Sequence, residues 1–409
     1  MYRKFCRQVA SIVLLSTVNI RISYIYAGPT MNLPVFNKSV LYPFALLTLV
    51  SGFAANADIS YTLNGFGTIA AGKVLSGDVT DPDYVNYHCP CFITDYNNGG
   101  IYQSDDDWSL KQESRIGGQV TLKFNDKLSF VTQVMARAVD SELSLEWAYL
   151  SYDFNDRFTL QAGRKRIPLY YYSEFQDVGF AYIWLRPPQT LYGWEASNYN
   201  GANLRYSDTL ANWSLTANVY AGAEKVDNAP YNDLYDTVHQ DSRWRNIRGL
   251  DIELNKDWFT ARIIYMQSDN STTERPDSNA FYTPPTKQTV LGLSLNADFD
   301  NWFILSEMNV NKREDKADGL TVRSPASMLG VGYRSGNWTP FVSWSRFWDK
   351  SNNLDLYEPE RFVDASFTLR YDINSSSSIK AQINRLEDKS LYNFVGDSTA
   401  LALAYDFIF

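Results

Sequence analysis

The sequence predicts an all-β protein that folds as a transmembrane antiparallel up-and-down β-barrel of 16 strands. Segments of about ten residues, in which apolar and polar side chains alternate, recur from Ile59 to the C-terminus. The gaps between these segments are alternately short and long, and aromatic residues flank the short gaps. Alternation is what a sheet with lipid on one face and water on the other requires.

The last eleven residues show the alternation most clearly. One face carries Leu401, Leu403, Tyr405, Phe407 and Phe409, and the other carries Ala400, Ala402, Ala404 and Asp406. A soluble edge strand with so much bare apolar surface would aggregate, whereas a barrel wall facing lipid needs this pattern. The face with the small side chains is therefore expected to point into a lumen.

Sixteen segments fit the pattern. The predicted strands are 59–73, 111–124, 128–138, 142–152, 158–166, 199–207, 212–223, 246–255, 258–268, 287–298, 302–312, 324–335, 338–348, 361–372, 377–387 and 398–409. The gap after each even-numbered strand is short and rich in turn-forming residues. With an even number of strands and both termini at the short-turn end, we expect the short turns in the periplasm and the long loops outside.

Aromatic residues stand on both sides of the short turns. The strand after a turn repeatedly opens on a ring, and many strands that enter the turns close on one: Phe158, Trp213, Trp258, Trp302 and Trp338 open strands, and Phe124, Tyr152, Tyr206, Phe299, Tyr333 and Tyr371 close them. Amphipathic rings are favoured at a membrane interface. The pattern therefore predicts an aromatic girdle at the short-turn end of the barrel.

Charged residues fall on the face that the alternation assigns to the interior. Asp251, Glu253, Arg262 and Arg370 each alternate with apolar neighbours. Unpaired ions are costly to bury, so this number of charges implies water inside. A barrel of sixteen strands is wide enough for an aqueous channel unless something plugs it.

Composition narrows the class of protein further. Beyond residue 57 the chain has 32 Lys and Arg against 46 Asp and Glu, a formal charge of −14, which argues against nucleic acid as a partner. Apolar runs of about 18 residues, which helical membrane spans need, do not occur. Only His88 and His239 could serve as catalytic histidines, and no Ser or Asp can be tied to either by spacing, so we expect no enzyme and no cofactor.

The N-terminal region resembles a secretory leader. Residues 31–57 combine one lysine, an apolar core and the small-x-small ending Ala55-Asn56-Ala57, which predicts a signal peptide cut before Asp58. Residues 1–30 are an upstream extension of unknown role, and residues 58–409 form the predicted barrel. Cys89 and Cys91 remain after cleavage, as a loop disulfide or as two thiols; a metal site there would need more ligands.

In strand count, hairpin rhythm and final Phe409, the chain resembles the general porins of Gram-negative outer membranes. The resemblance spans residues 58–409 and rests on architecture, because no short family signature matches residue by residue. It implies a homotrimer in the outer membrane and an inward-folded third extracellular loop that narrows the barrel. Here the third long connection, residues 167–198, has the apolar and aromatic composition expected of a loop that packs against something.

The predicted constriction sets carboxylates of this loop against arginines of the wall. Glu174 and Asp177 lie in the loop, and Arg115, Arg137, Arg164 and Arg166 lie at similar offsets from short turns, which places them at similar heights on neighbouring strands. The alternative is that these arginines pair locally. For Arg164 and Arg166 a position at the lipid headgroups is a further alternative, because Arg164 shares its parity with Leu160 and Ala162. Further expected pore-lining residues are Arg205, Arg262, Arg370 and Lys380. Arg205, Arg370 and Lys380 lie close to short turns, at the expected periplasmic mouth, and ordinary solvation of the hairpins is the alternative for these three.

These features predict a porin, that is, a water-filled channel for passive diffusion of small hydrophilic solutes and ions across the outer membrane. A channel selective for anions or sugars is the alternative, and seven loop aromatics could form a sugar track: Tyr170, Tyr171, Tyr172, Phe175, Phe180, Tyr182 and Trp184. A barrel enzyme and a barrel without conductance are the other classes considered.

Overall fold

A computed structural model describes residues 59–80, 83–84, 87–140, 142–236, 238–274 and 285–409. The predicted signal peptide at 31–57, the extension at 1–30 and the predicted first mature residue, Asp58, lie outside these ranges. Within them, no helix has the length and hydropathy needed to cross a lipid bilayer.

The described chain forms sixteen long antiparallel strands. They are β1 Ser60–Asp78, β2 Arg115–Lys123, β3 Leu128–Arg137, β4 Leu143–Asp153, β5 Phe158–Arg166, β6 Asn198–Leu210, β7 Trp213–Val226, β8 Gln240–Lys256, β9 Phe259–Glu274, β10 Thr286–Phe299, β11 Trp302–Asp315, β12 Thr321–Tyr333, β13 Trp338–Trp348, β14 Arg361–Asn374, β15 Ser377–Asp388 and β16 Asp397–Ile408. Each predicted strand corresponds to one of these. Some strands, such as β8 and β9, extend at their outer ends beyond the predicted limits, because the polar residues there do not alternate with apolar ones, whereas β2 begins four residues later than predicted.

Each strand pairs with its neighbours in the chain, and the first and last strands pair with each other. β1 and β16 are antiparallel, with Phe66 opposite Ile408 and Gly72 opposite Ala402. The sheet is therefore closed, which removes its free edges. The prediction of a sixteen-stranded up-and-down barrel is confirmed.

The two faces of the wall differ as the alternation predicts. On β16, Leu403 and Tyr405 are exposed, whereas Ala402 and Asp406 are buried. Exposed large apolar side chains continue around the outside of the barrel, as at Leu291, Ile263, Leu329, Val342 and Val219. A continuous outer apolar surface of this kind is typical of a wall that contacts lipid.

Aromatic rings meet in pairs between neighbouring short turns. The centroids of Trp258 and Phe299 are 5.0 Å apart, those of Trp302 and Tyr333 are 4.7 Å apart, and those of Trp338 and Tyr371 are 4.6 Å apart. Each pair joins two strands at the short-turn end, so the flanking aromatics form a ring of cross-strand contacts there.

Two aromatic rings at the end of the chain, those of Phe407 in β16 and of Phe409 just after it, lie against glycines of β1. A Cβ on Gly65 would lie 2.1 Å from the ring of Phe409, and a Cβ on Gly67 would lie 2.5 Å from the ring of Phe407. These glycines thus accommodate the closure of the barrel.

The connections at the other end carry the remaining elements. Between β1 and β2, a small hairpin pairs Phe92–Asp95 with Gly100–Tyr102, and Cys89 and Cys91 form a disulfide. Between β13 and β14, Lys350–Ser351 pairs with β12. The short helices are Ser173–Phe175, Gly179–Ala181 and Gln189–Tyr192 in the connection from β5 to β6, and Pro230–Asp233 between β7 and β8.

Candidate functional site

The connection between β5 and β6, residues 167–197, contacts inward-facing side chains of strands all around the barrel. We call it the third-loop segment. Its hydrogen bonds to the wall include Thr190 Oγ1 to Ser345 Oγ at 2.7 Å, Tyr192 Oη to Glu307 Oε2 at 2.7 Å, Leu185 N to Gln382 Oε1 at 2.8 Å, Trp184 Nε1 to Ser343 Oγ at 3.2 Å, and Arg262 Nη1 to the Tyr170 carbonyl at 3.3 Å. These partners belong to β9, β11, β13 and β15.

Aromatic residues of the third-loop segment are packed against apolar residues of the inner wall. Trp184 is fully buried, and its ring centroid lies 5.0 Å from that of Phe341. Tyr172 contacts both Trp184 and Tyr192 within the same buried cluster, which also takes in Met266 of the wall. The segment therefore has a hydrophobic core shared with one side of the barrel, and its buried rings do not form an open aromatic track.

Two cations of the wall hold the backbone of the segment. The Lys380 ammonium donates hydrogen bonds to the carbonyls of Gly179, Tyr182 and Trp184 at 2.6, 2.8 and 2.7 Å. Arg370 donates to the carbonyls of Phe180 and Tyr182 at 3.0 and 2.9 Å. Lys380 and Arg370 were expected among the pore-lining residues, at the periplasmic mouth; both are buried and bonded to the segment.

Three of the four predicted arginines meet Asp177. Arg137 lies 2.9 Å from the Asp177 carboxylate, Arg166 forms a second ion pair with it, and Arg115 Nε donates to the Asp177 backbone carbonyl at 3.0 Å. Glu146, which the sequence did not single out, also accepts from Arg137 at 2.8 Å and Arg166 at 3.0 Å.

Burial of Asp177 would by itself raise the pKa of its carboxyl group. The guanidinium groups of Arg137 and Arg166 outweigh that effect and hold the pKa below its ordinary range. Arg115 and Arg137 lie directly opposite each other in the pairing of β2 with β3, as their equal offsets from the turn predict. Together, three arginines and the carboxylates of Asp177 and Glu146 form one buried ion cluster.

Arg164 and Glu174 lie elsewhere. Arg164 pairs with Glu224 at 2.7 Å and donates to the Leu145 carbonyl at 2.6 Å, so it does not join Asp177. Glu174 lines a separate cavity. The predicted constriction thus divides into an ion cluster around Asp177 and a set of charges around open space, and Arg166 belongs to both.

A cavity of about 180 Å³ lies between the third-loop segment and the wall formed by β4 to β9. It is lined by Trp147, Tyr149, Gln161, Lys165, Arg166, Glu174, Arg205, Thr216, Asn218, Asp251, Glu253 and Arg262. Arg262 and Asp251 pair with each other at 2.9 Å. The ion pairs formed among the described residues include none from Lys165, Arg205, Glu174 or Glu253.

Of these lining residues, the sequence singled out Glu174, Arg166, Arg205 and Arg262 as site residues. It missed Lys165, Trp147 and Tyr149 as site residues. Lys165 shares parity with Gln161 on β5, and Tyr149 shares parity with Trp147 on β4. Strand parity alone does not identify them, because the consecutive residues Lys165 and Arg166 both line the cavity and the pairing of β3 with β4 shifts register between Gln133 and Val134.

The connection between β1 and β2 also contacts the third-loop segment. Arg186 forms an ion pair with Glu113, and its guanidinium lies 4.7 Å from the centroid of the Phe92 ring. Tyr102 donates a hydrogen bond to Glu113 at 2.6 Å. The contact fixes the far end of the segment against the small hairpin of the first connection.

The architecture is that of a porin-like outer-membrane β-barrel: sixteen antiparallel strands, closed, apolar outside and charged inside. No protein-family model matches the chain, and no curated protein matches it. Several solved structures are similar in fold. OmpT, an outer membrane protein of Vibrio cholerae, is 9% identical with a TM-score of 0.56, over 87% of this chain and 99% of that chain.

Two structures described as a channel or porin are also similar. The outer membrane channel DcaP of Acinetobacter baumannii is 11% identical with a TM-score of 0.56, over 86% of this chain and 97% of that chain. The anion-selective porin from Comamonas acidovorans is 11% identical with a TM-score of 0.52, over 86% of this chain and 100% of that chain. At these identities, the likeness concerns the fold.

Proposed function

We propose that this protein is an outer-membrane porin that admits small hydrophilic solutes and ions by passive diffusion. In this proposal the third-loop segment folds inward and narrows the barrel. Solutes pass on the side of β4 to β9, where the polar cavity lies, because the side of β11 to β15 is filled by packed side chains. The descriptions of the DcaP channel and the Comamonas porin support a channel function by analogy of fold.

The cavity carries the proposal. Its wall presents two cations, Lys165 and Arg205, and two carboxylates, Glu174 and Glu253, which form no ion pairs among the described residues. Lys165 donates hydrogen bonds to Gln161 and, at 3.0 Å, to Asn203, but neither partner is charged. Charges without a counterion favour water or a polar solute beside them, because isolated ions are costly to bury. Charged rings around a pore set its ion preference.

A channel selective for one substrate class is the second candidate. Trp147 and Tyr149 both line the cavity, with ring centroids 6.2 Å apart. Rings at a polar passage provide flat apolar surfaces for the faces of a sugar or another ring. The loop aromatics first suggested for a sugar track are packed in the segment, so this candidate now rests on the two rings of β4.

Location and assembly follow from the same proposal. We expect the signal peptide 31–57 to direct export through the periplasm and to be cleaved. The barrel is then expected to insert in the outer membrane of a Gram-negative bacterium, in contact with its lipid, and to assemble as a homotrimer. One similar structure is described as a trimer form of OmpT. Nucleic acid, metal and cofactor have no part in the proposed function.

Reversal potentials in planar bilayers with asymmetric KCl test the proposal. Lys165→Gln with Arg205→Gln should shift selectivity toward cations, and Glu174→Gln with Glu253→Gln should shift it toward anions. Lys123→Gln with Lys127→Gln, two exposed cations at the short-turn end, is the matched control and should leave the potential unchanged. A protein that inserts but shows no conductance steps would contradict the channel function.

A further inference from the structure

The charges that line the cavity are sorted by sign along the barrel wall. Lys165 lies on β5 and Arg205 on β6, whereas Glu253 lies on β8. The strand between them, β7, contributes neutral side chains to the cavity, Thr216 opposite Glu253 and Asn218 opposite Arg205. At the usual spacing of neighbouring strands, β6 and β8 lie about 10 Å apart. Positive and negative groups thus face the same space from separate parts of the wall.

The other charges that line the cavity are paired within the protein. Arg262 pairs with Asp251 at 2.9 Å, and Arg166 pairs with Glu146 at 3.0 Å. Glu253 lies opposite Arg262 in the strand pairing, but among the described residues its carboxylate forms no ion pair with that guanidinium. Four charges therefore remain for a solute: the cations of β5 and β6, the carboxylate of Glu253, and one carboxylate of the third-loop segment.

Two aromatic rings lie beside the cations. Trp147 and Tyr149 are on β4, which pairs with β5 on the side away from β6. The ammonium of Lys165 lies 5.1 Å from the centroid of the Tyr149 ring. The centroids of the two rings are 6.2 Å apart, and both rings line the cavity. Because β8 lies on the other side of the cations, this apolar surface adjoins the positive part of the cavity and is remote from Glu253.

The order of ring, cation, neutral strand and carboxylate matches one class of solute. A neutral sugar would stack on the rings and leave the charges without counterions, and a simple anion would neutralise the cations alone. A dipeptide carries an ammonium at one end and a carboxylate at the other, and the side chain of its last residue branches from the carbon next to the carboxylate. Two extended residues span about 7 Å, which fits between β6 and β8.

We propose, in a step that rests on the proposed function, that this cavity binds dipeptides whose C-terminal residue is aromatic as they cross the membrane. The carboxylate of the peptide lies at the cations of β5 and β6, where arginine can donate two parallel hydrogen bonds to it. The aromatic side chain packs against Trp147 and Tyr149, and the ammonium lies toward Glu253 and Glu174. Arg205 and Glu174 are exposed, so a peptide in the lumen can reach both. The pair of rings thus selects the residue at the carboxylate end of the peptide.

Isothermal titration calorimetry on the purified protein in detergent micelles tests the order of the groups. We expect the dipeptide Gly-Phe to bind at least tenfold more tightly than each of four relatives that alter one feature. Gly-Gly lacks the ring, the amide of Gly-Phe lacks the carboxylate charge, acetylated Gly-Phe lacks the ammonium, and Phe-Gly carries its ring at the other end. Only a site that orders all three groups as proposed disfavours all four relatives.

The role of the rings is tested by a double variant. Trp147→Leu with Tyr149→Leu should reduce the preference for Gly-Phe over Gly-Gly from at least tenfold to less than twofold. The matched control is Trp302→Leu with Tyr333→Leu, which removes a pair of rings 4.7 Å apart at the short-turn end and should leave the preference unchanged. Heat-dependent electrophoretic migration confirms that each variant is folded.

The two sets of charges are tested separately. Lys165→Gln with Arg205→Gln should reduce the preference for Gly-Phe over its amide to less than twofold. Glu174→Gln with Glu253→Gln should do the same to the preference for Gly-Phe over its acetylated form. Lys127→Gln, which removes an exposed cation at the short-turn end, should leave both preferences unchanged.

Each other outcome overturns the inference. Equal binding of Gly-Phe and Phe-Gly, or a ring preference that survives in the double leucine variant, would show that the rings do not select the C-terminal residue. Tighter binding of a neutral disaccharide such as maltose would assign the rings to sugars. Conductance of the same preparations is recorded in planar bilayers: a conducting protein that does not discriminate among the peptides contradicts this inference alone, and peptide discrimination without conductance contradicts the proposed function alone.

Discussion

The ammonium of Lys380 lies 3.0 Å from the Asp406 carboxylate and donates to three backbone carbonyls of the third-loop segment at the same time. Lys380 lies on β15 and Asp406 on the neighbouring β16, and neither side chain is more than 1% exposed. Asp406 also accepts from Thr68 Oγ1 on β1 at 2.5 Å. A buried charge pair at the closure of the barrel thus ties the segment to the wall.

Lys380→Met is expected to loosen the segment and to destabilise the protein. The change leaves Asp406 buried without its counterion, a situation that costs about 3–5 kcal/mol. Urea unfolding in lipid vesicles measures the loss, and protease cleavage within residues 167–197 measures the release of the segment. Lys389→Met is the control, because Lys389 and Glu387 form an exposed pair worth under about 1 kcal/mol. Equal effects of the two changes would contradict the anchoring role.

Asp177→Asn is expected to remove an acid-sensitive part of the stability. Because the pKa of Asp177 is lowered in the folded protein, its contribution is present above the ordinary aspartate pKa of about 4 and is lost as the pH falls through the lower, folded value. The wild type should therefore lose more stability than the variant between pH 5 and the most acid point at which it still folds. Urea midpoints across that range measure the difference, and parallel curves would contradict the account.

Gly179→Ala is expected to push the segment away from the wall. A Cβ at this position would lie 2.3 Å from Asp406 Oδ1 and 2.6 Å from Thr68 Oγ1. Overpacking of this kind costs about 1–3 kcal/mol. Gly118→Ala is the matched control, since a Cβ there meets only the Asn64 carbonyl, at 4.0 Å. Urea midpoints that fall equally for both variants would show that the close contact at Gly179 has no special weight.

The strands could be predicted from the sequence because each carries its own signal. Alternation around Leu403 and Ala402 requires one face toward lipid and the other toward the interior, and a shift of one residue would reverse every side chain. The height of Arg115 relative to Arg137 followed from counting residues from their shared turn. Such properties depend on neighbours along the chain and across one hairpin.

The division of charges at the site could not be predicted in the same way. Asp177 and Glu174 are three residues apart, yet Asp177 enters the arginine cluster and Glu174 faces the cavity. The third-loop segment has no periodicity that fixes where each side chain points; its course depends on packing against distant strands, as at Trp184 and Phe341. Lys380 and Arg370 illustrate the same limit, because their parity indicates the interior but not what covers them.

The measurement that tests the proposed path most directly is chemical block of the current through single cysteines. Thr216 lines the cavity, whereas Ser343 is buried against Trp184 on the filled side of the barrel. A positively charged methanethiosulfonate reagent added during bilayer recording should reduce the conductance of Thr216→Cys by at least half and leave that of Ser343→Cys unchanged. The reverse pattern, or an unblocked Thr216→Cys channel shown by mass spectrometry to carry the label, would contradict passage along the side of β4 to β9.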